Sequence, residues 1–357
     1  MEIGIDSFAA ILPEPATGRI PSATERLANL LEEVEVADQA GLDIFGIGEH
    51  HRPEFLDSAP AIILAAAAAR THKIRLTSAV TVLSAADPVR VFQEFATLDL
   101  IARGRAEIVV GRGSFGEAYP LFGFQRDDYD ALFAEKLDLF LKLRETPHLR
   151  WSGRYRPALT GQGIYPRPHQ EELPLWLGVG GTPQSFIRAG TLGLPLMVAI
   201  IGGEFRRFRP LVDLYREAGR QAGHRRERLK IGVHAIGFIG TTTDEAKDAF
   251  FPGWQYMFTK IGRERGWSPA TREQFEAMCR PHGAFLIGDP PTVAAKMLAA
   301  SEALGGVSRM TFQMSSASLE HSAMKRSIEL LGADVAPIVR KATTVSPLIV
   351  NRETAHG

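Results

Sequence analysis

Two adjacent histidines follow a short apolar segment, in the run Glu49-His50-His51. An imidazole can bind a metal ion, or it can move a proton near neutral pH. Metal-dependent barrel hydrolases use an HxH pair at the first strand together with later His and Asp ligands. The chain instead begins Glu2-Ile-Gly-Ile-Asp-Ser-Phe8, and it has no HxH or HExxH motif. We therefore predict no metal site. His50 itself is either a proton-transfer group or a hydrogen-bonded loop residue.

A second group of residues suits the binding of an anion. The stretch Gly178–Ser185 contains three glycines, followed by Thr182 and Pro183, which can begin a helix. Free N–H groups at a helix N-terminus bind phosphate groups, and Thr182 and Ser185 can add hydroxyl donors. Arg112 follows an earlier strand and can add positive charge. The pattern predicts a phosphate site, and a tight turn capped by Thr182 is the alternative.

The loop that contains Arg112 has the glycine spacing of a dinucleotide-binding motif but not the helix that must follow it. Gly111-Arg-Gly-Ser-Phe-Gly116 is a GxGxxG sequence after a strand. A dinucleotide-binding fingerprint must run directly into a helix, but Pro120 and Gly123 come too soon for one. We interpret this segment as an aromatic loop over a ligand. The chain therefore has no dinucleotide-binding fingerprint.

These residues are positioned by a repeated strand–loop–helix unit. Ile74–Leu83 is rich in β-branched and aliphatic residues, as in a parallel strand buried on both faces. Asp87 then caps a helix, with Pro88 in its first turn. Eight predicted strands follow this pattern: 3–8, 44–48, 74–83, 106–110, 175–179, 196–201, 230–239 and 309–314.

Eight such units predict an α/β fold of the TIM (β/α)8 barrel type, with an open doubly wound sheet as the alternative. We expect insertions after strands 4 and 7, namely a hairpin-like excursion at Leu149–Pro168 and a candidate lid at Pro252–Gly283. One barrel domain is predicted over residues 1–341, with a loose tail over 342–357. Because barrel active sites lie at the C-terminal ends of the strands, His50, Arg112 and the Gly178–Ser185 turn should converge.

The composition narrows the class of protein. The 357 residues are 45% hydrophobic, and Lys+Arg and Asp+Glu both number 41. Without a basic excess we expect no nucleic-acid partner. The only cysteine, Cys279, excludes an internal disulfide and fits a reducing cytoplasm. The most apolar run, Ala59–Ala69, is too short to span a bilayer. We expect a soluble, cytoplasmic protein that does not bind membranes.

Several stretches taken together resemble the bacterial luciferase-like flavin-dependent monooxygenases. The similarity covers nearly the whole chain, to about Lys341. Its strongest parts are Ile-Gly-Glu-His-His at 47–51, Leu-Ser-Ala-Ala-Asp-Pro-Val-Arg at 83–90, Gly-Arg-Ala-Glu-Ile at 104–108, Gly-Arg-Gly at 111–113 and Gly-Leu-Pro at 193–195. The resemblance implies a TIM barrel that binds reduced FMN in its mouth and activates O2.

The resemblance also implies roles for individual residues. His50 falls on the catalytic histidine of the family, and Ala79-Val80 falls on a non-prolyl cis peptide beneath the flavin ring. The phosphate-binding positions fall on Arg112, Gly181, Thr182 and Ser185. Light-emitting members have a cysteine where this chain has Gly111, and an acidic residue and a serine where it has Gly181 and Thr182. Light emission is therefore not expected, and backbone amides should contribute more to phosphate binding.

The sequence thus predicts a monooxygenase that acts on a small organic substrate with O2 and with FMNH2 from a separate flavin reductase. A deazaflavin-dependent hydride-transfer enzyme, a non-catalytic flavin-binding barrel and a metal hydrolase are the alternatives. The nearly uncharged Ala59–Ala69 helix and its neighbour Val89–Ile101 predict a homodimer. The aromatic residues and glycines of Pro252–Gly283 predict a segment that orders over the flavin.

Overall fold

The computed structural model describes residues 1–14, 17–316 and 319–345. Its strands are β1 (Glu2–Ser7), β2 (Ile44–Ile47), β3 (Arg75–Ser78), β4 (Thr81–Val82), β5 (Ile108–Gly111), β6 (His148–Trp151), β7 (Leu159–Gly163), β8 (Leu175–Val179), β9 (Leu196–Ala199), β10 (Ile231–Ile239), β11 (Leu286–Gly288) and β12 (Arg309–Gln313). Its α-helices are α1 (Ala23–Gln39), α2 (Pro60–Ala68), α3 (Pro88–Ala102), α4 (Ala118–Leu121), α5 (Tyr129–Glu145), α6 (Pro183–Thr191), α7 (Arg209–Gln221), α8 (Thr243–Glu264), α9 (Arg272–Cys279), α10 (Pro290–Ala303), α11 (His321–Leu330) and α12 (Ala336–Val345).

A parallel sheet curls into a nearly closed barrel inside the helices. Its strand order is β3-β2-β1-β12-β10-β9-β8-β5-β4, and β11 pairs with β10. An isolated parallel bridge between Leu76 and Ala106 joins the two ends of this order. Since β3 and β4 are two halves of one strand, the barrel has the eight strands of the predicted TIM fold, and the prediction is confirmed.

The core lies between the barrel and its helices. Side chains on alternate positions of a strand point to opposite faces, so β1 sends Ile3 and Ile5 outward into this core. Asp6 and Phe8 line the barrel cavity instead. The predicted start of α3 is also present: the Asp87 side chain accepts hydrogen bonds from the backbone N–H groups of Val89 and Arg90, at 2.9 and 3.1 Å.

The predicted strand Ile74–Leu83 is the first point of difference. It is interrupted between β3 and β4, at a cis peptide bond between Ala79 and Val80. The continuous apolar sequence gave no sign of this break. The predicted excursion at Leu149–Pro168, by contrast, does contain an antiparallel hairpin, formed by β6 and β7.

The second difference concerns Pro252, which does not begin an insertion. Helix α8 continues through this residue to Glu264. A proline inside a helix removes a backbone hydrogen bond, but Phe250, Trp254 and Met257 recur on one helix face and are buried. Burial of that apolar face outweighs the break that the proline signalled. Within the predicted insertion, only residues 265–271 and 280–283 lie outside helices.

The C-terminal prediction also needs correction. The final helix reaches Val345 through a π-helical turn at Leu331–Val335, so residues 342–345 are helical and not part of a loose tail. The remainder of the predicted tail, 346–357, lies outside the described residues. Among the residues described, no helix is both long enough and apolar enough to cross a bilayer.

Candidate active site

One cavity opens at the C-terminal ends of the barrel strands. Its volume is about 430 Å³, which is typical of a small-molecule site. Of the predicted site residues, His50, Ala79, Val80, Arg112 and Thr182 line it. In the described part of the chain, no group of three or more His, Cys, Asp or Glu side chains could hold a metal ion.

His50 is held by a buried carboxylate. Its Nδ1 lies 2.8 Å from Asp57 Oδ2, and its backbone N–H donates to Asp57 Oδ1 at 3.1 Å. Burial raises the pKa of Asp57, although the hydrogen bond and charge of His50 oppose that rise. The rings of Phe8, Phe55 and Phe115 pack around the imidazole, with centroids 4.5–5.5 Å away. The Asp57 contact orients the ring and leaves Nε2 as the nitrogen available for proton transfer.

Val80 occupies a notch made by two glycines. A Cβ added to Gly111 would lie 2.7 Å from Val80 Cγ2, and one added to Gly178 would lie 2.6 Å from Cγ1. Neither position has room for a side chain while Val80 keeps its place. The predicted cis peptide between Ala79 and Val80 is confirmed.

Glu49 fixes the chain just beyond this notch. One carboxylate oxygen accepts a hydrogen bond from the backbone N–H of Val82 at 2.8 Å, and the other lies 3.2 Å from His51 Nε2. His51 therefore supports Glu49, whereas its neighbour His50 faces the cavity. The two adjacent histidines, which have the same chemistry in the sequence, are thus separated by the structure into two roles.

The residues predicted to bind an anion lie together beside the cavity. Arg112 Nη2 lies 3.3 Å from Thr182 Oγ1 and 3.2 Å from Ser185 Oγ, at the N-terminus of α6. Nη1 of the same guanidinium contacts Asp130, and the group stacks on the Tyr129 ring at 5.0 Å. A phosphate at this place would meet a guanidinium, two hydroxyls and the free N–H groups of the first helical turn.

Gly181 lies in the same turn and has open space around it. It is exposed, and a Cβ at Gly180 or Gly181 would meet no atom within 4 Å. Space alone therefore does not require glycine at either position. What the two residues provide is an unobstructed approach to the backbone before α6, which is consistent with binding through amide groups.

The C-terminal part of α8 covers the cavity opposite this turn. Met257, Phe258 and Ile261 line the cavity from the helix, and Arg265 and Trp267 line it from the loop that follows. These are residues of the predicted lid segment, so that segment does border the site. Whether it moves when a ligand binds stays a prediction.

An ion-pair cluster connects this cover to the loops on the far side of the mouth. Arg52 donates to Glu264 at 2.6 and 2.8 Å and to Glu54 at 3.1 Å, and it also contacts Glu117. Lys260 lies 3.0 Å from Glu54. Because Arg52 follows β2, Glu117 follows β5 and Glu264 ends α8, one guanidinium connects three elements above the cavity.

The sequence analysis missed the floor of the cavity. Asp6, His234 and Thr311 line it from β1, β10 and β12. His234 Nδ1 lies 2.6 Å from Asp6 Oδ2, and the hydroxyl of Thr311 donates to the same oxygen. The signal was present as polar residues at alternate positions of strands that are otherwise apolar. Cys279 is buried and does not line this cavity, and burial raises the pKa of its thiol to about 12.

A barrel with a carboxylate-bound histidine and a cluster of arginine, threonine and serine at the strand ends fits the resemblance stated above. The model of the luciferase-like monooxygenase family matches residues 1–307. The chain therefore belongs to the luciferase-like monooxygenases.

Curated relatives extend the comparison. The chain is 30% identical over 196 residues to the uncharacterized protein y4vJ of Sinorhizobium fredii, covering 54% of this chain and 55% of that protein. It likewise spans 66% of the length of y4wF from the same organism. The N-acetyl-S-alkylcysteine monooxygenase of Bacillus subtilis is 28% identical, over 78% of this chain and 90% of its own. The 4-hydroxyprotoasukamycin monooxygenase of Streptomyces nodosus is 27% identical, over 93% and 91%.

Solved structures share the fold. The monooxygenase RslO1 of Streptomyces bottropensis superposes with a TM-score of 0.81 at 22% identity, covering 94% of this chain and 99% of that one. The oxygenating constituent of 3,6-diketocamphane monooxygenase from Pseudomonas putida, solved with FMN, gives 0.76 at 22% identity, over 94% and 98%. The coenzyme F420-dependent tetrahydromethanopterin reductase of Methanopyrus kandleri gives 0.70 at 19% identity, over 94% and 98%.

Proposed function

We propose that this protein is a monooxygenase that uses reduced FMN and O2 to oxidise a small organic molecule. The observation that carries the proposal is the anion site of Arg112, Thr182 and Ser185, which adjoins the cavity lined by His50 and Val80. Curated relatives named as monooxygenases support the choice of chemistry.

The residues present fit FMN. Its phosphate matches the guanidinium, hydroxyl and backbone donors at the start of α6. Its flat ring matches the part of the cavity lined by Ala79 and Val80, and Gly111 and Gly178 make room for the Val80 side chain. When bound, reduced FMN supplies the electrons and the site of O2 activation. We assign its binding to Ala79, Val80, Arg112, Gly181, Thr182 and Ser185.

The protein's own contribution is then to position groups, move a proton and exclude water. Asp57 orients His50 so that Nε2 can give or take a proton at the reacting centre. The aromatic rings around His50 and the apolar side chains of Met257 and Ile261 keep water from that region. Arg52 holds this cover over the mouth through its ion pair with Glu264.

A titration tests the cofactor. Purified protein is titrated with FMN and, separately, with coenzyme F420, and binding is followed by flavin fluorescence. Oxygen consumption is then measured with supplied FMNH2 and corrected for the oxidation of free flavin. Tighter binding of FMN together with enzyme-dependent oxygen consumption is expected. Preference for F420 would overturn the proposal in favour of hydride transfer, and FMN binding without any reaction would indicate a non-catalytic barrel.

The source of FMNH2 is a further part of the proposal. Since the chain has no NAD(P)H fingerprint, we assign reduction of FMN to a separate flavin reductase, and we place both proteins in the cytoplasm. NADH and FMN without a reductase should then give no enzyme-dependent oxygen consumption. Addition of a purified flavin reductase should restore it. Direct oxidation of NADH by this protein alone would contradict the assignment.

We also propose a homodimer that uses α2 and α3. On α2, Ile62 is 73% exposed, and on α3 Leu100 and Ile101 are 45% and 46% exposed. An outer helix of a barrel normally presents polar residues to water, and a second copy of this surface would cover these side chains. Light scattering at micromolar concentration should give a dimer mass, and Ile62→Glu should shift it toward the monomer. A monomeric wild type would contradict the proposal.

A further inference from the structure

The floor of the cavity contains an Asp–His pair that the proposed oxidation does not use. His234 lies in β10, whose nine residues are all buried, and its Nδ1 is 2.6 Å from Asp6 Oδ2. Thr311 donates its hydroxyl proton to that same oxygen. The His234 ring stacks on Phe8 with an interplanar angle of 15° and a centroid distance of 5.9 Å. Asp6 therefore holds the imidazole at Nδ1 and Phe8 packs on one face of the ring. Its Nε2 remains available to form a hydrogen bond with a ligand.

The Asp6 carboxylate would lower the stability of the fold if its role were only structural. Asp6 Oδ1 is buried and has no hydrogen-bond partner among the described residues. A buried polar atom without a partner destabilises a fold and often marks a functional site. If the pair served only stability, an apolar pair of similar size would fill the same space at lower cost.

The walls next to His234 are apolar. Val109 and Met197 line the cavity and form a small cluster with Trp176 behind them, and Val80 packs beside this cluster. Such a surface suits a hydrocarbon framework, since each buried apolar group adds favourable transfer free energy. His234 is thus a hydrogen-bonding group at the edge of an apolar space.

The charges below the cavity disfavour an anionic ligand. Arg309 reaches the floor, but its guanidinium is bound by Glu107 at 2.8 Å and by Glu2 at 2.8 Å. Arg75 contacts the same two carboxylates. With Asp6 included, three carboxylates face two guanidiniums at the floor, so no positive charge is left over there for a substrate carboxylate or sulfonate. Arg112 and Arg265 line the cavity from the rim and the cover instead.

We propose that His234 binds a hydroxyl group of the organic substrate, and that the substrate is a neutral, largely hydrocarbon molecule that carries such a hydroxyl. With Nδ1–H donated to Asp6, Nε2 accepts a hydrogen bond from the hydroxyl. Asp6 and Thr311 are positioning residues that fix this orientation. The inference rests on the proposed function, because it assigns the organic substrate of the same site.

The test uses three probes with one framework: 2-naphthol, its methyl ether 2-methoxynaphthalene, and 2-naphthoate. Affinities are measured by calorimetry on the full-length protein, with and without FMN. Wild type should bind 2-naphthol at least tenfold more tightly than the ether or the carboxylate, because only the phenol donates a hydrogen bond to Nε2. A ratio near one, an absence of 2-naphthol binding, or preference for 2-naphthoate would overturn the inference.

Three variants test whether His234 causes the preference for 2-naphthol over its methyl ether. His234→Phe should reduce the naphthol-to-ether ratio to about one, and His234→Gln should restore part of it through the amide oxygen. Met197→Ala, in the apolar wall, should weaken both probes equally and leave the ratio unchanged. A ratio that His234→Phe does not alter would overturn the assignment. Should that variant not fold, the wild-type ratio and His234→Gln still decide.

These outcomes are separate from those of the cofactor titration. Failure to bind FMN would remove the proposed function, yet the naphthol-to-ether ratio would still be measurable on the flavin-free protein. Conversely, FMN binding with no preference for the phenol would leave the monooxygenase proposal intact and remove only the substrate assignment.

Discussion

Two Asp–His pairs face one cavity, on either side of Phe8. In the rim pair, His50 Nδ1 is 2.8 Å from Asp57, and in the floor pair His234 Nδ1 is 2.6 Å from Asp6. Their carboxylates differ. Both oxygens of Asp57 accept hydrogen bonds from His50, whereas one oxygen of Asp6 serves His234 and Thr311 and the other has no partner among the described residues.

The difference in location indicates a difference in role. His50 follows the end of a strand, at the mouth of the cavity that α8 borders, where we propose that the cofactor reacts. His234 lies within a strand, against an apolar wall, where a substrate would rest. In our proposal, the same pair of side chains serves proton transfer at the rim and substrate binding on the floor, according to what surrounds each ring.

The largest expected effect is the loss of turnover when the imidazole of the rim pair is removed. His50→Ala should keep FMN affinity within a few fold but lower turnover about 100-fold, the usual scale for a positioned acid or base. Turnover is measured as oxygen consumption with supplied FMNH2. His72→Ala, at an exposed histidine, is the control. Unchanged turnover in His50→Ala would show that His50 is a structural loop residue and that the rim pair does not serve proton transfer.

Asp57→Asn sharpens the comparison by testing how the rim ring is held. The amide keeps the shape of the side chain, but its NH2 group cannot accept a hydrogen bond, so either the ring or the backbone N–H of His50 loses its acceptor. We expect turnover to fall about tenfold with unchanged FMN affinity. Asp213→Asn, on the surface of α7, is the matched control. A variant as active as wild type would show that Asp57 does not orient His50.

A smaller effect concerns the cover above the rim pair. Met257 of α8 packs in the cluster that contains Phe55, one of the rings around His50. If the cover orders over FMN, limited proteolysis should cut between Thr259 and Arg272 in the apo protein, and saturating FMN should slow that cut several fold. Arg52→Ala should speed the cut by removing the ion pair to Glu264. Equal rates with and without FMN would remove the lid hypothesis.

The sequence predicted the rim much better than the floor. His50, Arg112 and the Gly178–Ser185 turn follow strands, where side chains of a barrel converge, so position along the chain was sufficient to group them. Asp6 and His234 lie inside strands, and their pairing depends on β1 and β10 lying on either side of β12. That order follows from closure of the barrel, which no local pattern expresses.

The errors in the fold prediction have a similar cause. Pro252 is a strong local signal for a helix end, but the burial of Phe250, Trp254 and Met257 on one face kept α8 intact. The apolar pattern of Ile74–Leu83 gave no sign of the break between β3 and β4, although the family resemblance predicted the cis peptide that lies there. Tertiary packing overrode the local pattern in the first case and supplied the missing feature in the second.

The central claim is that the rim of this barrel holds FMN by its phosphate, and one paired titration tests it most directly. Wild type and Arg112→Ala are titrated with FMN and with riboflavin, which lacks the phosphate, and Arg220→Ala is the surface control. Hydrogen bonds to charged groups contribute about 1.5–3 kcal/mol, so Arg112→Ala should weaken FMN binding roughly tenfold or more. Riboflavin affinity should stay within twofold of wild type. Equal losses for both flavins, or no loss for FMN, would contradict the account.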